Sequence, residues 1–182
     1  MVDELGLNGL FCDKNAGRFP RHSAINSILK KSLTCIDLHS TLEPVGLTND
    51  GRRPDGVTLG PWSRRRSLVW DTTVVDTFAQ GHYKDSARQA GFAATEAEVA
   101  KCKSYHDLQS NYDFQSMAIE TTGVHGKSTA PFLSDLSKKM LMCLAIPGSA
   151  SGSTSVCPCS LFPQLCSVTL CIGLISCQSH DL

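Results

Sequence analysis

The chain has 182 residues, with 17 Lys or Arg against 17 Asp or Glu and therefore no formal net charge. That length suits one domain with a sizeable core, and no apolar run reaches the roughly 18 residues of a membrane-spanning helix. Met1-Val2-Asp3-Glu4 opens neither the basic nor the apolar segment of a secretory signal, so the protein is expected inside the cell, nuclear or cytoplasmic, with its thiols reduced.

Residues 1–20 read as irregular, broken by Gly6, Gly9, Gly17 and Pro20. Cys12 and His22 could close a zinc knuckle, but both earlier ligands that such a site needs are missing. No zinc is expected there; a buried Cys and a helix-entry His are the plainer reading. The spacing then predicts a helix over His22 to Leu33, with Ile25, Ile28, Leu29 and Leu33 on one face and Lys30 and Lys31 opposite. Thr41-Leu42-Glu43 predicts a short strand ending at Pro44.

The densest signal runs from Gly51 to Asp76. Gly51 and Pro54 to Gly56 read as turn punctuation, Val57-Thr58-Leu59 and Leu68 to Val75 as strands. Pro61 to Arg65 supplies the reversal, with its tip at Trp62 to Arg64. Such a hairpin puts Val57 opposite Val69 and Asp55 opposite Asp71, with Cβ atoms roughly 4.5–5.5 Å apart. Two carboxylates so close repel unless a positive charge lies between them. Asp71 also sits in a run that reads as buried on both faces, where an unpaired acid is costly. A hard divalent cation such as Mg²⁺ is the natural mediator, and an oxygen-liganded Mg²⁺ is suited to phosphodiester hydrolysis. The plainer alternatives are that Asp55 caps its turn and that Asp71 is solvated on an edge strand. Glu43 is either a third carboxylate of this site or an edge residue. Arg52, Arg53, Arg64, Arg65 and Arg66 crowd the two ends of the hairpin, as phosphate contact requires and as a solvated loop also allows.

Downstream, Ser86 to Tyr112 predicts one long helix, weakest at Gly91. Ala97, Lys101, Tyr105 and Leu108 share a side of it, so Lys101 either snorkels past the core edge or points at the acids. Lys103 reads as solvent-facing. Phe114 to Thr121 predicts another strand and Thr129 to Leu141 an amphipathic helix with Phe132, Leu133, Leu136 and Met140 inward. Beyond Lys139 there is neither Lys nor Arg, and six of the nine cysteines lie from Cys143 onward in no standard zinc spacing. Residues 142–182 are expected to be disordered or poorly packed.

The element order is thus αβββαβα. An acid follows Pro on the second strand and another stands on the third. With His22-Ser23-Ala24-Ile25-Asn26, Leu42-Glu43-Pro44-Val45-Gly46-Leu47, Asp50 to Val57, Leu68 to Asp71, Val75-Asp76-Thr77, Lys101 with Tyr105, and Ile119 to Gly123, the chain resembles the PD-(D/E)XK nuclease core. More specifically, residues 9–140 resemble the restriction-like endonuclease domain of site-specific non-LTR retrotransposon and reverse-transcriptase-like proteins. The resemblance implies an α/β fold with a mixed central sheet flanked by helices, and an endonuclease domain over 21–141, with a knuckle remnant before it and the Cys-rich tail after it. It implies that Asp55 and Asp71 hold the metal, Mg²⁺ or Mn²⁺, and that Lys101 and Tyr105 act beside them. Beside it, the residues alone offer Glu43 as a third carboxylate and Arg52, Arg53, Arg64 and Arg65 as the contacts to DNA. Two positions depart from the pattern: Thr73 stands where the superfamily has a Lys, and Ser104 where the retrotransposon branch has its second Lys. DNA is the implied partner, with no membrane, no small-molecule cofactor and no reverse transcriptase domain in the chain. The expected function is metal-dependent nicking of DNA. A DNA-binding remnant without chemistry and a transposon fragment without function are the alternatives.

Overall fold

The computed structural model describes residues 18–79 and 81–144. Helix α1 spans Arg18–Cys35, strands β1 to β3 span Ser40–Leu42, Gly56–Ser63 and Arg66–Val75, and a single-turn helix α2 spans Tyr83–Ser86. Helix α3 covers Phe92–Ser104, a 3-10 turn His106–Ser110, strand β4 Asp113–Glu120 and helix α4 Thr129–Leu144. The knuckle remnant around Cys12 and the Cys-rich stretch beyond Leu144 lie outside the described residues. No helix among the described residues is long and apolar enough to cross a membrane.

The four strands form one mixed sheet in the order β1-β2-β3-β4, antiparallel for the first two pairs and parallel between β3 and β4. The parallel pair needs a crossover, which α2 and α3 supply. As the composition of Leu68 to Val75 suggests, β3 is buried on both faces: Leu68, Val69 and Trp70 are each at most 1% exposed. On one face, Leu68, Trp70 and Met117 pack against Leu29 and Leu33 of α1 and Phe132, Leu136 and Met140 of α4. On the other, Val69 packs with Tyr105 and Leu108.

Three expectations need correction. The hairpin tip is the pair Arg64–Arg65, both at positive φ (47° and 61°), since Ser63 pairs with Arg66. This two-residue turn matches the twist of the strands without the Asn-Gly such turns favour. The predicted single helix over 86–112 is three pieces. Gly91 takes φ 77° and leaves the chain there too tight for a side chain, because a Cβ would meet the His125 carbonyl oxygen at 2.7 Å. Tyr105 ends α3, and a 3-10 turn follows. Finally, Ile28 of α1 is exposed. The inward stripe is His22, Asn26, Leu29 and Leu33, at i, i+4, i+7 and i+11, of which Asn26, Leu29 and Leu33 are buried.

Among the described residues the outer strands β1 and β4 leave little open edge. β1 is three residues long, and the segment after β4 folds back along its outer side. Glu120 N–H donates to Val124 O at 2.8 Å and Gly126 N–H to Ala118 O at 3.0 Å. Two buried carboxylates fasten this region. Glu98 accepts from the backbone N–H of Ser128 (2.8 Å) and Thr129 (3.0 Å) and from the Thr129 hydroxyl (2.6 Å), at the start of α4. Glu120 accepts from Thr77 Oγ1 at 3.2 Å and Thr122 Oγ1 at 3.3 Å.

Candidate active site

The Pro54-Asp55-Gly56 segment sits where β2 begins. Pro54 is fully buried, and Gly56 is needed for closeness: a Cβ on it would fall 2.1 Å from the Trp70 indole. The expected Val57–Val69 rung is present, and the ladder continues through Gly56 and Trp70. Beyond that the backbone pairing changes. Asp55 N–H donates to Trp70 O at 3.0 Å, Glu43 N–H donates to Asp55 O at 2.9 Å, and the Asp55 carboxylate takes over the next rung, accepting the Thr72 N–H at 2.6 Å on Oδ2. Thr72 N is bonded to the Asp71 carbonyl carbon, so Asp55 Oδ2 lies within about 5 Å of the Asp71 Cα by ordinary backbone dimensions.

Asp71 is 3% exposed. Lys101 reaches it from α3, with Nζ 2.7 Å from Asp71 Oδ1. The pair is close enough for the ammonium to hold that oxygen directly. Burial pushes the Asp71 carboxyl above its usual range; Lys101 opposes the shift and the neighbouring Asp55 charge adds to it. Tyr105, one turn after Lys101, is 4% exposed, packs on Phe114 with ring centroids 5.1 Å apart, and donates its hydroxyl to Arg53 O at 3.1 Å. Burial and the Asp71 charge hold its phenol well above the normal value. Its ring lies under both the Lys101 ammonium (5.9 Å to the centroid) and the Arg52 guanidinium (5.1 Å).

Asp55, Asp71, Lys101 and Tyr105 are therefore brought together, from a hairpin and the following helix. Glu43 is not drawn in by any side-chain contact: it is exposed, at φ 49°, and joins Asp55 through its backbone alone. Among the described residues no group of three or more His, Cys, Asp or Glu side chains is arranged to hold a metal ion. The arginines divide. Arg52 is engaged with Asp50 and stands 3.8 Å from Asp107. Arg53 is exposed, as are Arg64 and Arg65. The last two are at the opposite end of the hairpin from the acids, since even Arg66 to Asp71 spans about 17 Å at strand rise. Arg66 donates to Gln109 O at 3.0 Å. Thr73, where the resemblance would have a Lys, carries a buried hydroxyl without a hydrogen-bond partner.

His22 is the contributor that the sequence pattern did not place at the acids. Its Nε2 lies 2.9 Å from Asp55 Oδ2 and 3.1 Å from Thr72 O. One signal could have found it: His22 and Asn26 stand four apart on the same stripe as Leu29 and Leu33, where a purely packing helix carries apolar residues.

The oxygens suit a hard divalent ion: two carboxylates plus water and phosphate is a common Mg²⁺ set, with Asp71 Oδ1 shared with the Lys101 ammonium. No known protein-family model matches this sequence, and no curated protein matches it.

Proposed function

We propose that the protein is a metal-dependent DNA endonuclease domain of the PD-(D/E)XK kind, related to the restriction-like endonucleases of non-LTR retrotransposons. The observation that carries this reading is the convergence of Asp55, Asp71 and Lys101 where β2 begins against β3, with the Lys101 ammonium 2.7 Å from a buried carboxylate oxygen. In this reading Asp55 and Asp71 hold Mg²⁺ or Mn²⁺, which when bound supplies an activated water and charge stabilisation on the phosphoryl group. Lys101 brings its charge from α3, in place of the uncharged Thr73 on β3, to where the phosphoryl oxygens become more negative. The Tyr105 ring supports that ammonium. Arg53 holds the DNA backbone without reading sequence.

The test is nicking of supercoiled plasmid by the full chain with Mg²⁺ or Mn²⁺. Conversion to open circles that is abolished by EDTA and by Asp55→Ala or Asp71→Ala is expected. An Asp55→Ala protein that nicks as fast as the parent overturns the reading. The uncharged Thr73 favours a second reading, a domain that binds DNA and does not cut it. That reading predicts salt-sensitive DNA binding with no metal-dependent nicking.

A further inference from the structure

Resting on the endonuclease reading above, we propose that His22, backed by Asn26, is a positioning residue that sets the Asp55 carboxylate for a divalent ion. Both donors that reach Asp55 fall on one oxygen: Oδ2 accepts from Thr72 N–H at 2.6 Å and faces His22 Nε2 at 2.9 Å. Among the described residues no hydrogen bond reaches Oδ1. The carboxylate is thus anchored through one oxygen and offers the other.

His22 is itself fixed as a donor. Its Nε2 faces a carboxylate oxygen and, at 3.1 Å, the Thr72 carbonyl. Both partners only accept, so Nε2 carries the proton and is not a metal ligand in this arrangement. Asn26 supports it one turn along. This side chain is 6% exposed, and its Oδ1 accepts from Trp70 Nε1 at 3.1 Å and from Thr72 Oγ1 at 2.8 Å. Those two bonds leave Nδ2 against the imidazole, 3.5 Å from each ring nitrogen. Helix α1 is therefore fastened to β3 at residues 70 and 72, on either side of Asp71, and delivers His22 to Asp55. Burying an Asn here is costly unless its bonds are made, and the bonds that it makes are the ones that hold this geometry.

Partners that orient a ligating carboxylate change metal affinity by about 10–100-fold when they are lost. The measurement is Mn²⁺ binding to the full chain, followed by the electron paramagnetic resonance signal of free Mn²⁺, with thermal unfolding run alongside. His22→Met, similar in length but without a donor, is expected to weaken Mn²⁺ binding by at least about tenfold with little change in unfolding temperature. His22→Gln, which keeps an N–H donor near the Nε2 position, is expected to recover most of the loss. Equal affinity in the parent, the Met variant and the Gln variant overturns the proposal while leaving the endonuclease reading intact, provided that Asp55→Ala has lost binding. A parent without Mn²⁺ binding, or an Asp55→Ala protein that binds like the parent, overturns both.

Discussion

Lys101 and Asp71 depend on each other in a way that neither residue type alone conveys. The Asp71 carboxyl is raised by burial and held down by Lys101, so removing the ammonium leaves a buried acid without its counter-charge. Lys101→Met is expected to cost about 1–2 kcal/mol in urea unfolding, less than the cost of breaking a fully buried pair, because the Lys101 side chain is 36% exposed. A variant as stable as the parent would show that the pair contributes nothing to folding. A second titrating residue lies away from the acids. His125, half-buried, has its imidazole lowered from the ordinary value near 6.5 by burial, with Glu98 pulling the other way. A depressed folded value means that the unfolded chain binds the proton more readily. The stabilising contribution is therefore present above about pH 6.5 and is lost as pH falls through the folded value. Unfolding temperatures measured between pH 7.5 and 5.5 should fall in the parent and fall less in His125→Gln.

At the scale of elements, the β2–β3 hairpin is held by closeness. Gly56→Ala would drive a methyl group into the Trp70 indole. The expected loss is about 1–3 kcal/mol, as for other overpacked cores, together with a displaced Asp55, so stability and nicking should fall together. Helix α4 has a different weak point. Its first turn is satisfied by Glu98 from α3, and Glu98→Ala is expected to cost about 2–3 kcal/mol, read as a lower urea midpoint. The elements that could be read from the sequence are those whose own pattern is apolar: β3, β4 and α4 were each visible in runs of Val, Ile, Leu, Phe or Met. Helix α1 was visible as a helix but not in its rotation, because two of its four inward residues are His22 and Asn26. Periodicity counts them as solvent-facing. The break in the 86–112 stretch was hidden because Gly91 alone is a weak helix breaker; the His125 carbonyl that leaves no room for a side chain there lies more than thirty positions later in the chain.

For the whole molecule, the order of elements followed from strand and helix patterns and the mixed sheet from the resemblance. The pairing of Val57 with Val69 was read from a tip at Trp62 to Arg64; from the actual tip, Arg64–Arg65, that rung forms only because the register shifts twice between Ser63 and Val57. The candidate site was partly legible. Asp55 and Asp71 were marked by an acid after Pro and an acid in an apolar run, and Lys101 by its place on an inward stripe. His22 depends on contacts 33 and 50 positions away, which no local pattern encodes. The charge distribution was only partly legible: Arg64 and Arg65 were placed at an end of the hairpin beside the acids, but they form its tip, the far end from Asp55 and Asp71. Their separation gives a prediction at this scale. Replacing both with Ala should weaken DNA binding evenly across sequences and reduce the log–log salt slope by about 2, while the rate at saturating DNA stays unchanged. A slower rate at saturation would mean that the tip reaches the scissile phosphate.

The folded-back segment along β4 and the three-residue β1 have a consequence for how copies of the chain could meet. Among the described residues, β1 is too short and the outer side of β4 too well covered by the 124–126 backbone to recruit another strand there. Under the endonuclease reading, a second molecule acting on the opposite strand of the same duplex would have to be brought there by the nucleic acid or by helix and loop surfaces, so open circles should accumulate well before any linear plasmid.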